Sequence, residues 1–167
     1  MIFERVFTPI DAGPLSVRLA QSEDEVIAAQ RLRYRIFCEE LGGKANAQVR
    51  DQQRDFDMYD DACYHVLVIN NDLPKERSVV GTYRLMTRDT IKNIGKFYTE
   101  TEYDLGPLKN FQAPVLELGR SCVELEYRTR PVLQLLWSGI GAFVVAKDIS
   151  VMFGCASLYG ADASKHH

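Results

Sequence analysis

The chain reads as an α/β domain built on a mixed sheet. Alternating apolar runs and helical runs interleave in the order β-α-β-β-β-α-β. Its 167 residues suffice for one sizeable core without metal or disulfide staples. Charged residues at 26% and hydrophobic residues at 46% are ordinary for a globular protein. A lead-in over 1–14, one domain over 15–162 and a loose tail over 163–167 are expected, with no repeat, linker or low-complexity segment.

Residues 15–20 form the first strand, entered through Gly13-Pro14. Ser22-Glu23-Asp24-Glu25 is a capping box, with Ser22 as cap and Glu25 reaching back. The helix it opens runs to about residue 41 and stops at Gly42-Gly43. Val26, Ala29, Ile36, Phe37 and Leu41 share its apolar face, while Arg31, Arg35 and Glu39 lie opposite. Arg33 falls in the middle of that apolar face; either an anion meets it or it snorkels to an edge. Residues 43–61 read as a long polar loop carrying Asp51, Asp55, Asp57, Asp60 and Asp61. Strands follow over 64–70 and 78–88, the second placing Val80, Thr82, Arg84 and Met86 on one face. A crossover over 94–108 with room for a short helix leads to a strand over 114–124. Thr129-Arg130-Pro131 opens a helix running to about residue 147, and 150–157 is a last strand.

A net charge of −3 argues against a general nucleic-acid binder. Cys38, Cys63, Cys122 and Cys155 form no C-x-x-C pair and read as thiols in a reducing cytoplasm. Met1 to Arg5 lacks a basic-then-apolar signal pattern. The longest apolar run, 131–146, is shorter than the roughly 20 residues of a membrane span, so it reads as a core helix. No metal site is expected, because Cys63 and His65 make too poor a ligand set. Triad orderings and phosphate loops of the Walker or dinucleotide type are absent from the sequence.

The chemistry concentrates in Leu116-Glu117-Leu118-Gly119-Arg120-Ser121-Cys122-Val123, a strand-like run holding a carboxylate and a guanidinium three residues apart. Burying either charge unpaired costs several kcal/mol, on the order that proteins avoid. Strict alternation puts Glu117 and Arg120 on opposite faces, whereas a bulge at Gly119 would bring them together. With Arg33, Arg84, Asp57 and Asp60 they make a candidate site; the alternative is an internal salt-bridge network without chemistry.

The ordered blocks Arg33-Tyr34-Arg35-Ile36-Phe37, Asp57-x-x-Asp60, Val80-Gly81-Thr82-Tyr83-Arg84-Leu85 and Glu117-x-x-Arg120 resemble the acyl-carrier-protein-dependent branch of the GNAT superfamily. Acyl-homoserine-lactone synthases share that skeleton. Bacterial ornithine N-acyltransferases, often annotated haemolysin-like, are more similar still. They resemble this chain in Arg54-Asp55-Phe56-Asp57, Gly95-Lys96-Phe97-Tyr98, Glu102-Tyr103-Asp104-Leu105, the 127–137 block and Phe153-Gly154-Cys155-Ala156-Ser157.

The resemblance implies a GNAT-like, mostly antiparallel central sheet flanked by helices. It implies transfer of a fatty, often 3-hydroxylated, acyl group from acyl carrier protein to the α-amine of L-ornithine, giving a lyso-ornithine lipid. Another amino acid as acceptor, or an acyl-carrier-binding module without turnover, are the alternatives. The signal-synthase reading is weaker, because those enzymes carry a tryptophan soon after the first helix and the one tryptophan here is Trp137.

A thioester needs a neutral amine, so Glu117 is expected as base, with Arg120 orienting it or contacting substrate. Asp57 and Asp60 are expected to hold the cationic amino acid and Arg33 or Arg84 its carboxylate, with Phe37 beside them. Gly119, Ser121 and Cys122 are expected along the acyl-phosphopantetheine arm, and backbone N–H groups at the bulge on the oxyanion. The turn Tyr127-Arg128-Thr129-Arg130-Pro131 lacks the glycines that cradle the pyrophosphate of coenzyme A. It suits one phosphate held by Arg128 or Arg130 at the helix N-terminus, favouring acyl carrier protein over coenzyme A, with no permanent cofactor. The implied location is the cytoplasm, at the inner face of the membrane that receives the lipid. Family members continue past the Phe-Gly-Cys-Ala-Ser strand, so an incomplete sheet, with an edge open to a second chain, is the expectation.

Overall fold

The computed structural model describes residues 1–156. Among them six strands form one sheet in sequence order: β1 (Ile10–Ala12), β2 (Leu15–Leu19), β3 (Tyr64–Asn70), β4 (Val79–Thr87), β5 (Val115–Val123) and β6 (Val151–Phe153). All neighbours are antiparallel except β5 and β6, which run parallel. Helices α1 (Glu23–Tyr34) and α4 (Arg130–Ala146) cover the faces; α2 (Ala47–Gln52) and α3 (Gly106–Lys109) are short connectors. The mixed, mostly antiparallel sheet flanked by helices is the architecture expected from the sequence.

β3 is buried at every residue, as a central strand covered on both sides must be. Val132, Leu136, Ile140 and Phe143 of α4 pack with Val17, Val66, Val68 and Leu85 on one side of the sheet. Val26, Ala29, Leu32 and Ile36 pack with Leu67, Ile69, Val79 and Cys122 on the other. A Cβ at Gly139 would come within 2.6 Å of Val17, so this glycine lets α4 settle directly onto β2.

Local signals set the start of α1. Ser22 Oγ accepts from the Glu25 N–H at 3.4 Å. Glu25 reaches back one residue further than expected, to the Gln21 N–H at 2.8 Å, and also accepts from Arg18. The end of the helix differs from expectation: Arg35–Glu40 form a π-helical turn, closed by Leu41 N–H to Ile36 O at 3.0 Å. Such wide turns gather at functional sites.

Other corrections follow from weak local signals. The lead-in contributes β1, which pairs with β2 through a turn at Gly13 (φ +61°). The 43–61 segment is not simply a loop, since it holds α2, capped by Asn46 Oδ1 on the Val49 N–H at 2.9 Å. A register shift lies opposite Val68 and Ile69, so Val80 turns into the α4-side core and shares no face with Met86. β6 is three residues long, pairing Val115–Glu117 with Val151–Phe153. The strand expected over 150–157 thus leaves out Ser150 and residues 154–156, and Ser157 and the tail lie outside the described residues.

Candidate active site

Arg33, Arg84 and Arg120 reach the same acidic segment from three elements. From α1, the Arg33 guanidinium pairs with Asp55 (Nε to Oδ2, 2.9 Å) and Asp60 (Nη2 to Oδ1, 2.8 Å), and donates to the Asp55 carbonyl. From β4, Arg84 Nη1 lies 2.6 Å from Asp57 Oδ1 and 3.4 Å from Asp60 Oδ2. From β5, Arg120 lies 3.3 Å from both Asp55 Oδ2 and Asp57 Oδ2. The anion that the inward-facing Arg33 requires is thus supplied by the chain itself.

The bulge that would bring Glu117 and Arg120 together is present. Between the pairs Thr82–Cys122 and Arg84–Gly119, β5 carries one residue more than β4. The left-handed residue is Arg120 (φ +51°), not Gly119, which has the permissive side chain but no positive φ. A non-glycine residue in that region is strained. Here the guanidinium is anchored by two aspartates and by the Tyr98 ring, whose centroid lies 5.2 Å away.

Glu117 sits on the same side, opposite Met86. Oε1 accepts from the Thr99 N–H and Thr99 Oγ1, both at 2.6 Å, and Oε2 accepts from the Tyr98 N–H at 2.9 Å. Burial raises its pKa against the lowering effect of those bonds and of Arg84. Asp60 goes the other way. Burial opposes its charge, but Arg33 and Arg84 outweigh that and hold its carboxyl below the usual range. His65 is pushed down to about 4 by burial and by Arg33. Its Nε2 lies 3.0 Å from the Asp60 carbonyl, a contact that requires Nε2 to carry the proton. Cys63 donates to the Tyr59 carbonyl, so Cys63 and His65 serve packing around this network.

The parallel pairing of β5 with β6 ends at Glu117–Phe153. Beyond it, among the described residues, Leu118 to Val123 have no β6 partner, which leaves an opening along this edge of β5. Gly119 and Arg120 follow on that open edge, and Glu117, only 1% exposed, is buried at its apex, at the last β5–β6 pair. Gly154 lies at that apex, where a Cβ would come within 2.2 Å of the Leu118 carbonyl.

The structure does not bring every expected residue to this opening. Arg33, Arg84 and Asp60 are sealed from solvent and committed to one another, with side-chain exposures of 0%, 1% and 4%. Asp55, Asp57 and Arg120 keep 17%, 25% and 27%. Phe37 packs against the α1-side core. The Cys122 side chain lies in that core, where burial pushes its thiol up to about 12, leaving its backbone to face the opening. Ser121 is exposed. Arg128 forms a two-pronged pair with Glu40 at 2.6 Å for each prong and donates to the Val123 carbonyl, while Arg130 is exposed at the first position of α4. Asp55, Tyr98 and Thr99 belong to the site without having been singled out. Asp55 was visible as one of a run of acids; the Thr99 contact spans 18 residues and has no local signature.

Residues 32–138 match the family model described as an acetyltransferase (GNAT) domain. The chain belongs to the GNAT family. This GNAT domain is 44% identical over 158 residues to the L-ornithine N(alpha)-acyltransferase of Brucella abortus (strain 2308), covering 92% of the chain and 56% of that protein. It is 40% identical over 162 residues to the protein of the same name from Agrobacterium fabrum, covering 92% of the chain and 54% of that protein. The chain spans a little over half the length of these curated relatives. The crystal structure of the AHL synthase LasI aligns with a TM-score of 0.57 at 15% identity, over 84% of this chain and 71% of that one, a likeness of fold.

Proposed function

We propose that this GNAT domain is an amino-acid N-acyltransferase that moves a 3-hydroxylated fatty acyl group from the phosphopantetheine thioester of acyl carrier protein to the α-amine of L-ornithine. The observation that carries the reading is the charge balance at the β5–β6 opening. Four carboxylates, Asp55, Asp57, Asp60 and Glu117, meet three guanidiniums, Arg33, Arg84 and Arg120. The surplus negative charge favours a cationic amino acid. The names and identity of the curated relatives support ornithine as that amino acid.

Arg33, Arg84 and Asp60 act as scaffold, because their charges are spent internally. Substrate contact falls to the partly exposed groups: Asp57 and Asp55 toward ammonium, Arg120 toward the α-carboxylate.

The donor thioester enters the β5–β6 opening. The neutral α-amine attacks the thioester carbonyl carbon and forms the C–N bond, while backbone N–H groups at the Arg120 bulge meet the developing oxyanion. Glu117 takes the amine proton through a water. Its raised pKa suits that role, and one of the roughly four acceptor positions of its carboxylate remains open on Oε2. The C–S bond then breaks, and the phosphopantetheine sulfur leaves as a thiolate that takes up a proton. Arg130 and the first N–H groups of α4 hold the phosphate of the arm. Arg128 joins them only by leaving Glu40.

Among the described residues no helix is long and apolar enough to cross a membrane. The test is thiol release from 3-hydroxyacyl carrier protein with a panel of amino acids, the product identified by mass spectrometry. Acylated ornithine is expected. Release with acyl-coenzyme A but not with carrier protein overturns the donor assignment. Carrier binding without release for any amine replaces the enzyme by a binding module.

A further inference from the structure

Thr99 lies on the crossover between β4 and β5, in a 3₁₀ turn (Tyr98–Thr101). Its amide and hydroxyl both end on Glu117 Oε1 at 2.6 Å. A hydroxyl has a single proton, so the proton given to Glu117 leaves Thr99 Oγ1 as an acceptor toward its other neighbour, the Cys155 thiol at 3.6 Å. The hydroxyl orientation is therefore fixed from both sides. The turn is itself braced: Glu100 accepts from the Phe97 N–H at 3.0 Å and pairs with Lys109 at 2.9 Å. Phe97 packs edge-on against Phe153, the last residue of β6, at 5.0 Å between ring centroids. The crossover thus clamps Glu117 Oε1 at the point where β5 and β6 part, and the open acceptor position stays on Oε2.

We infer that Thr99 is a positioning residue for acyl transfer, locking the Glu117 carboxylate so that Oε2 faces the amine. This rests on the reading of Glu117 as the base. The charged and titratable groups facing Glu117 are Arg84 from β4 and Tyr59 from the turn before β3, with Asp57 and Arg120 behind them. None of them replaces the two bonds that Thr99 provides.

Thr99→Val removes the hydroxyl at nearly constant volume, and Thr99→Ser restores it. For Thr99→Val the expected result is a kcat lower by about tenfold, the size of one lost hydrogen bond to a charged group. KM for both substrates should stay within about twofold of wild type, as expected when binding itself is untouched. The acid limb of the pH–rate profile should move to higher pH, because the Thr99 hydroxyl stabilises the ionised carboxylate. Thr99→Ser should recover most of the rate and return the limb. An unchanged kcat and acid limb in Thr99→Val, with an intact circular dichroism spectrum, overturns the proposal. A second readout is free of turnover: the Glu117 side-chain carboxyl, followed by ¹³C NMR, should titrate at higher pH in Thr99→Val than in wild type. If wild type acylates no amino acid but this shift appears, the acyl-transfer reading fails while the lock stands; no shift removes the lock.

Discussion

Two sets of arginine–carboxylate pairs lie on either side of the α1 C-terminus, and they differ in everything except chemistry. Arg33 and Arg84 close on Asp60 with almost no exposed surface. Arg35–Glu124 and Arg128–Glu40 bridge the π-helical turn to the entry of α4 with side-chain exposures of 37%/27% and 38%/35%. Buried charges are costly and persist only when every partner is in place. Exposed pairs are screened by water and contribute little to stability, so they can open without harm to the fold. The first set therefore holds the Asp57–Asp60 segment in place, and on the proposed reading the second acts as a latch where the donor arm would enter.

The largest effect should come from breaking the buried set. Asp60→Ala takes one of two carboxylate partners from each of two buried guanidiniums, leaving Arg33 with Asp55 and Arg84 with Asp57, and is expected to cost about 3–5 kcal/mol, measured by urea denaturation. A loss no larger than that of a surface substitution would erase the distinction between the two sets.

The next effect is a pH dependence. His65 has a folded pKa of about 4, below the unfolded value near 6.5, so the folded protein resists its protonation. Its contribution is complete above about pH 6.5 and is lost as pH falls toward 4. The wild-type stability curve should decline across that window, and His65→Gln should flatten it. Asp60 adds a later decline, because its lowered pKa contributes stability that is lost only as pH falls below the ordinary aspartate range, near 4. Glu117 has the opposite sign, since its raised pKa favours the folded state below about pH 4.3 and that contribution is lost as pH rises. A single decline below pH 4, with none between 6.5 and 4, would contradict the neutral assignment of His65.

The smallest stability effect belongs to the latch. Glu40→Gln should leave the unfolding midpoint unchanged while lowering the KM for the acyl donor, because it releases Arg128 toward the phosphate. An unchanged donor KM would make Arg128–Glu40 a surface pair with no part in entry.

Much of this arrangement was legible from local chemistry. Arginine in the middle of an apolar helix face left two outcomes, an anion or a path to the edge, and Arg33 meets two carboxylates. Glu117 and Arg120 on opposite parities share a side only if the strand is bulged, and β5 has a bulge. Thr129 and Pro131 mark the start of α4 because cap and first-turn preferences act over a few residues. What stayed hidden depends on distant partners or weak patterns. Glu40 meets Arg128 across 88 residues and Thr99 meets Glu117 across 18, separations that no periodicity encodes. The α2 helix buries Val49 alone, too little apolar surface to stand out from a polar loop. The bulge is expected at Gly119 because glycine often marks one, yet its left-handed residue is Arg120, one position later, with its guanidinium anchored on Asp55 and Asp57.

The most direct test of the central claim is the pH dependence of kcat for ornithine acylation in wild type and Glu117→Gln. Wild type should show an acid limb at a pH above the ordinary glutamate range, since burial raises that pKa. The variant should lose about 10²–10⁴-fold in kcat, the usual contribution of a positioned base, and lose the limb with it. A variant that keeps both the rate and the limb would show that Glu117 only braces the 98–99 turn and that another group accepts the amine proton.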